Sequence, residues 1–123
     1  MKNPKTFGVW GNIEKDAFWN VLPKIINWAK DKNLELFLTE KIISDVRAKE
    51  FDQPVINSKE KISEMDFMLV LGGDGTFLSC ARAVENRSTP ILGIHLGDLG
   101  FLAKVTLENI FQRLDQVSNG LFT

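Results

Sequence analysis

Phe67-Met68-Leu69-Val70-Leu71-Gly72-Gly73-Asp74-Gly75-Thr76 is an apolar run that breaks into three glycines around one carboxylate. An unbroken apolar stretch bounded by turn residues reads as a strand covered on both faces, as strands of parallel sheets are. The strand is expected over Met65–Leu71 and a helix over Thr76–Glu85. Glycines between a strand and a helix let backbone N–H groups approach an anion, and the helix N-terminus adds partial positive charge. The acid in the middle is out of place in a simple phosphate cradle. Asp74 would repel a phosphate directly, so its chemistry points to a proton or a metal ion.

Outward from this stretch, strand and helix patterns alternate. Thr6 to Trp10 reads as a first strand ended by Gly11-Asn12. From about Glu14 to Lys32, Phe18, Val21, Leu22, Ile25, Ile26 and Ala29 recur at helical spacing, with Pro23 expected to kink or split the helix. Leu34–Thr39 reads as a second strand. Glu40–Glu64 is polar and poorly periodic, with Pro54 inside it, and is expected to be loop and short helix. Pro90–Ile94 reads as a strand, followed by a second glycine-rich loop from Gly93 through Gly100. Thr106 is placed to cap a last helix carrying Leu107, Ile110, Leu114 and Val117, with Gly120 as its stop. The alternation predicts an α/β layered, Rossmann-like domain with a mainly parallel sheet, residues 1–123 forming a single unit. Ligands of such sheets bind beyond the carboxyl ends of the strands, and both glycine-rich loops should open on that edge.

Composition narrows the function classes. The 123 residues suffice for one domain that buries roughly two-thirds of its unfolded surface. Fifteen basic residues against sixteen acidic ones give a net charge of −1 with no basic run, which argues against nucleic acid as a partner. No apolar run approaches the roughly 18 residues of a membrane span, and Met1-Lys2-Asn3-Pro4-Lys5-Thr6 lacks the apolar stretch of a signal peptide. The lone Cys80 precludes an intrachain disulfide and fits a reducing, cytoplasmic setting; it reads as a helix packing residue.

The glycine loop is neither a P-loop, lacking Gly-Lys-Ser/Thr, nor a dinucleotide fingerprint, because Leu78 stands where the third glycine would be. Asp-Gly is a common turn pair and Asp a favoured N-cap, so residue chemistry leaves Asp74 open between a structural acid, a general base and a metal-bound carboxylate. Thr76 reads as a cap or packing residue, His95 as a strand-end histidine and Asp98 as a turn acid. Trp10, Trp19 and Trp28 read as packing aromatics.

Taken together, the segments 66–78 and 90–102 resemble the NAD kinase family. The first carries that family's GGDGT segment. The second, Gly93-Ile94-His95-Leu96-Gly97-Asp98-Leu99-Gly100-Phe101-Leu102, is similar to its partner pattern GINxGxLGFL. GGDG alone is shared with diacylglycerol and sphingosine kinases and with phosphofructokinases; the second segment favours NAD kinase. A lipid kinase domain and a non-catalytic nucleotide-binding module remain the alternatives.

The resemblance implies phosphorylation of the adenosine ribose 2′-hydroxyl of NAD, with ATP or polyphosphate as donor and a divalent metal such as Mg²⁺ on the phosphates. Asp74 would be the general base. Gly72, Gly73, Asp74, Gly75, Thr76, Phe77, Leu78, His95 and Gly97 would contact or line the nucleotide, with no residue assigned to a metal. Three departures from the family pattern stand out: His95 replaces the usual Asn, Ser79 replaces a basic residue, and no proline follows Trp10-Gly11-Asn12-Ile13. The resemblance also implies a second, β-rich domain beyond Thr123, reached through a connecting helix at about 104–123. It implies homo-oligomers of the full-length protein, and little turnover by these 123 residues alone.

Overall fold

In the computed structural model, residues 4–85 and 88–96 are described, together with Gln112 and Asp115. Strands β1 (Thr6–Gly11), β2 (Glu35–Thr39), β3 (Val55–Ile56), β4 (Phe67–Gly72) and β5 (Ile91–His95) form one sheet in the order β3-β2-β1-β4-β5, with every pair parallel. The helices are α1 (Asp16–Asp31), α2 (Glu40–Ile43), α3 (Lys59–Ser63) and α4 (Asp74–Val84), with a 3₁₀ turn at Val46–Ala48. The chain runs outward from β1 to β3, then returns to the other side of β1 as β4. Strand order therefore reverses between β1 and β4.

Strand β4 is buried along its whole length and alternates between two cores. Phe67, Leu69 and Leu71 join α1 in one cluster with Phe7, Val9, Phe18, Leu22 and Ile25. Met68 and Val70 join Ile62 of α3 and Cys80 and Val84 of α4 in the other. Pleating sends successive side chains to opposite faces, so a continuous apolar run is what a strand between two helical layers needs. Phe7 and Phe67, paired across β1 and β4, stack with centroids 4.8 Å apart, and Trp28 meets Phe7 edge-on at 6.2 Å. At the start of the same two strands, the Asp66 carboxylate accepts the backbone N–H groups of Lys5 (2.7 Å) and Thr6 (3.0 Å). Asp66 thus serves the sheet at the edge opposite the glycine loop.

Helix α1 runs through Pro23 as one element, so of the expected kink or split the split does not occur. Proline removes one intrahelical bond at a cost of about 3 kcal/mol, and the seven buried side chains of α1 offset it. Pro23 itself lies on the exposed side. The helix stops where Asn33 turns left-handed (φ 60°), a conformation that Asn tolerates. The segment 40–64 holds α2, the 3₁₀ turn and α3, as expected, and also the edge strand β3. Two residues are too few for a periodic signal; β3 exists because Leu38 and Thr39 offer a pairing edge. Helix α4 begins at Asp74, two residues before the expected start, because Gly73 takes the extended cap conformation. Cys80 is fully buried on α4, and burial alone pushes its thiol up to about 12. The connecting helix expected at 104–123 lies outside the described residues except for Gln112 and Asp115. Asp115 accepts the Trp28 indole N–H at 2.8 Å.

The loop from β1 into α1 is tied down from outside. The Ile13 carbonyl accepts both the Trp19 indole Nε1–H (2.8 Å) and Arg47 Nη2–H (2.9 Å). The Arg47 guanidinium lies 4.6 Å above the Trp19 ring and grips Asp45 with two bonds of 3.0 Å. The Asp45 carboxylate also accepts the Arg47 backbone N–H at 2.9 Å. The side-chain bonds from Arg47 first, and its backbone N–H second, hold the Asp45 carboxyl down at about 2.

Two outcomes follow from this architecture. Leu69→Ala, at a fully buried position, should lower unfolding free energy by about 3 kcal/mol in urea titrations, with Val46→Ala, 79% exposed, within about 0.5. The Asp45 carboxyl should titrate with a midpoint near 2 when followed by its ¹³C shift. The folded pKa lies below the unfolded one, so the pair's contribution is complete above the ordinary carboxylate range and fades as pH falls towards 2. A midpoint near the ordinary value of about 3.9 would mean that the Arg47 grip does not form in solution.

Candidate functional site

The carboxyl ends of β4 and β5 lie side by side. Gly72 pairs with His95, and the Leu96 N–H donates to the Gly72 carbonyl at 3.0 Å. Between them opens a cleft of about 240 Å³ lined by Gly72, Gly73, Asp74, Phe77, Gly93 and Ile94. The tertiary structure thus unites the end of the first glycine loop with the strand that leads into the second. Gly75, Thr76 and Leu78 belong to the same helix start but do not line this cleft. The His95 side chain lies outside what the structure describes, and so do Gly97 and Asp98.

The glycines differ in what their missing side chains permit. A Cβ on Gly72 would come within 2.7 Å of Thr76 Oγ1 and 2.8 Å of Thr76 Cβ. Gly72 therefore makes room for Thr76, which is a packing role for both. A Cβ on Gly93 would stand 2.8 Å from the Phe77 ring. That ring therefore rests on the backbone of β5 and forms one side of the cleft. Gly93 lies inside β5, not in a loop. At Gly75 nothing lies within 4 Å of a Cβ, so a side chain there would project into open space.

Asp74 sits in the first turn of α4, one residue past the Gly73 cap, and is exposed. It is therefore not the N-cap. No side chain caps this helix start, and the first helical bond recorded there runs from the Phe77 N–H to the Gly73 carbonyl. The N–H groups of Asp74, Gly75 and Thr76 are thus left for solvent or an anion. The Asp74 carboxylate has no hydrogen-bond or ion-pair partner among the described residues. Beside it, Phe77 is 38% exposed and Leu78 56% exposed, apolar surface that this part of the chain leaves uncovered.

On the other side of β4, the chain leaving β1 borders the glycine loop. The Asn12 N–H donates to the Leu71 carbonyl at 3.0 Å, one residue before Gly72. The Asn12 side chain accepts the Glu14 N–H, closing a turn at the point where strand order reverses. Ser79, on α4, accepts the Trp10 indole N–H at 3.2 Å and so joins β1 to α4. The residues Ile13, Trp19, Asp45 and Arg47, which tie this loop, carry no local sequence signal, because they come from three places in the chain. No group of three or more His, Cys, Asp or Glu side chains suited to a metal occurs among the described residues. No helix among them is long and apolar enough to cross a membrane.

Comparison with known proteins agrees with this geometry. A family model described as ATP-NAD kinase N-terminal domain matches residues 7–122. The NAD kinase of Thermoanaerobacter sp. (strain X514) is 35% identical over 119 residues, 97% of this chain and 41% of that protein. The NAD kinase of Syntrophotalea carbinolica is 35% identical over 120 residues, again 97% of this chain and 41% of its own length. The chain therefore spans about two-fifths of these relatives. Among solved structures, yeast NADH kinase complexed with NADH aligns with a TM-score of 0.77 over 98% of this chain and 40% of that one. At 16% identity that likeness speaks for the fold alone. With the family model covering nearly the whole chain and relatives above 30% identity, this chain belongs to the ATP-NAD kinase family and matches its N-terminal domain.

Proposed function

We propose that this chain supplies the catalytic base and part of the phosphate cradle of an NAD kinase, which phosphorylates the adenosine ribose 2′-hydroxyl of NAD to give NADP. The donor is ATP, in keeping with the family's name, with polyphosphate as the variant to test. The observation that carries the reading is the exposed, unpartnered Asp74 carboxylate at the mouth of the cleft, beside an uncapped helix start. A carboxylate with no partner among the described residues can accept a proton from a bound hydroxyl. Asp74 would take the proton of the 2′-hydroxyl as its oxygen attacks the γ-phosphorus. The bond from that phosphorus to the leaving ADP oxygen breaks as the new one forms.

The other residues divide the binding. Gly73, Gly75 and the free N–H groups at the start of α4 would face phosphate oxygens, and Phe77 would offer its ring to the nucleotide. Leu78, His95 and Gly97 complete the proposed contact set. Gly72 and Thr76 would act from behind, by fixing the loop. A divalent cation would enter on the donor's phosphates and neutralise their charge. Mg²⁺ commonly binds largely through substrate phosphate oxygens and water, so no residue of this chain is assigned to it.

The cleft is smaller than the roughly 300–1,000 Å³ of ordinary small-molecule sites. Together with exposed Phe77 and Leu78, this supports a site completed by chain beyond these residues, and residues 1–123 act as one N-terminal unit in this reading. It extends to a cytoplasmic, homo-oligomeric protein. The relatives bear NAD kinase names, so the lipid-kinase alternative has no observation in its favour.

In the complete protein, Asp74→Asn should keep NAD affinity within about threefold and lower kcat by about 10²–10⁴-fold, followed by NADP formation. Unchanged turnover would leave Asp74 a structural acid. Gly75→Ala should raise folding stability by about 0.5 kcal/mol, because the position is helical and unobstructed, yet weaken nucleotide binding by placing a methyl in the approach path. Affinity measured by calorimetry on the folded variant checks the second half; undiminished binding would move the nucleotide away from Gly75.

A further inference from the structure

We infer that Arg47 is a positioning residue for the nucleotide site: together with Trp19 it fixes the loop from Asn12 to Lys15 as the wall of the crevice opposite Asp74. The inference rests on the kinase reading above and adds to it a residue outside both glycine-rich segments.

Three observations converge on that loop. Strand order reverses between β1 and β4, and α1 and α4 cover opposite faces of the sheet there, which opens a crevice at the carboxyl edge. The loop leaving β1 and the Gly73-Asp74 turn follow the carboxyl ends of these two paired strands, and the Asn12 N–H bonds to the Leu71 carbonyl between them. Within the loop, the Glu14 N–H bonds to the Asn12 side chain at 3.1 Å and the Lys15 N–H to the Asn12 carbonyl at 3.2 Å. Two further ties reach the loop at the Ile13 carbonyl, whose two lone pairs accept the Trp19 Nε1–H and Arg47 Nη2–H.

Arginine is suited to this task in a way that lysine is not. Its planar fork grips Asp45 through two nitrogens, donates to Ile13 from one of them and lies flat on the Trp19 ring. The Asp45 side chain is 16% exposed and that of Arg47 44% exposed. The pair is therefore partly sheltered, and Arg47 carries no share of the main core. Its removal should free the loop without unfolding the domain.

A free loop adopts the binding conformation only part of the time, and apparent affinity falls by that fraction. Once nucleotide is bound the loop is in place, so the chemical step is unaffected. The signature is a raised KM at nearly constant kcat.

The test uses the complete protein with Arg47→Met and Arg47→Lys, and Trp19→Phe as an independent variant that keeps a ring under Arg47 but removes the indole donor. KM for NAD or ATP should rise about 5- to 10-fold in both Arg47 variants with kcat within about twofold, and less in Trp19→Phe. Hydrogen exchange of peptides spanning residues 11–16 should quicken in all three, while the melting temperature stays within a few degrees of the parent (about 4 °C). Unchanged KM overturns the inference, whatever the exchange shows, and so does a loss confined to kcat. Absence of NADP from the unaltered protein overturns the kinase reading and this inference with it. NADP formed with an unmoved KM in Arg47→Met overturns this inference alone.

Discussion

Burial of β4 on both faces is the constraint on which the rest depends. A strand whose odd residues pack on α1 and whose even residues pack on α3 and α4 can exist only in the middle of three layers. Parallel pairing then follows, since each return to the sheet passes through a helix lying on one face. It also fixes where polar chemistry can sit. The strand has no exposed side, so its first residues in contact with water are those beyond its carboxyl end, the turn of Gly73 and Asp74.

That turn shows how packing and chemistry share a short sequence. Gly72 and Thr76 lock the strand end to the helix start, and Gly93 seats the Phe77 ring on β5. Among the described residues, these contacts leave the first N–H groups of α4 uncapped by side chains and its acid without a partner. Only two side chains of α4, those of Cys80 and Val84, are buried. The helix is thus held mainly by its far half, and its near half is left facing the cleft with apolar surface exposed.

The opposite lip is built differently. The loop after β1 is tied by groups brought in from α1 and from the turn after α2. Exposed ion pairs contribute little to stability in general. Here the pair matters through what it orients: its two bonds to Asp45 leave one Nη2–H aimed at the Ile13 carbonyl. The two lips are thus set by unlike means, close backbone packing on one side and a side-chain clamp on the other.

The sequence by itself determined the architecture and one half of the site. The unbroken apolar run before Gly72 required a doubly covered strand, the spacing of Phe18 to Ala29 required one face of a helix, and three glycines around an acid required a backbone-lined turn. All of these are properties of neighbours in the chain, which is why local pattern carries them. That Pro23 does not split α1 follows from the seven side chains the helix buries, which outweigh one missing bond, a comparison that needs the sheet beneath. Strand β3 was hidden because two residues have no period until β2 gives them an edge. Only the tertiary structure decided that a side chain at Gly75, not at Gly72, would project into open space, that Gly93 exists for Phe77, and that Ile13, Trp19, Asp45 and Arg47 meet. Each of these depends on which side chain fills a volume or reaches an atom across the fold, and no spacing along the chain encodes that.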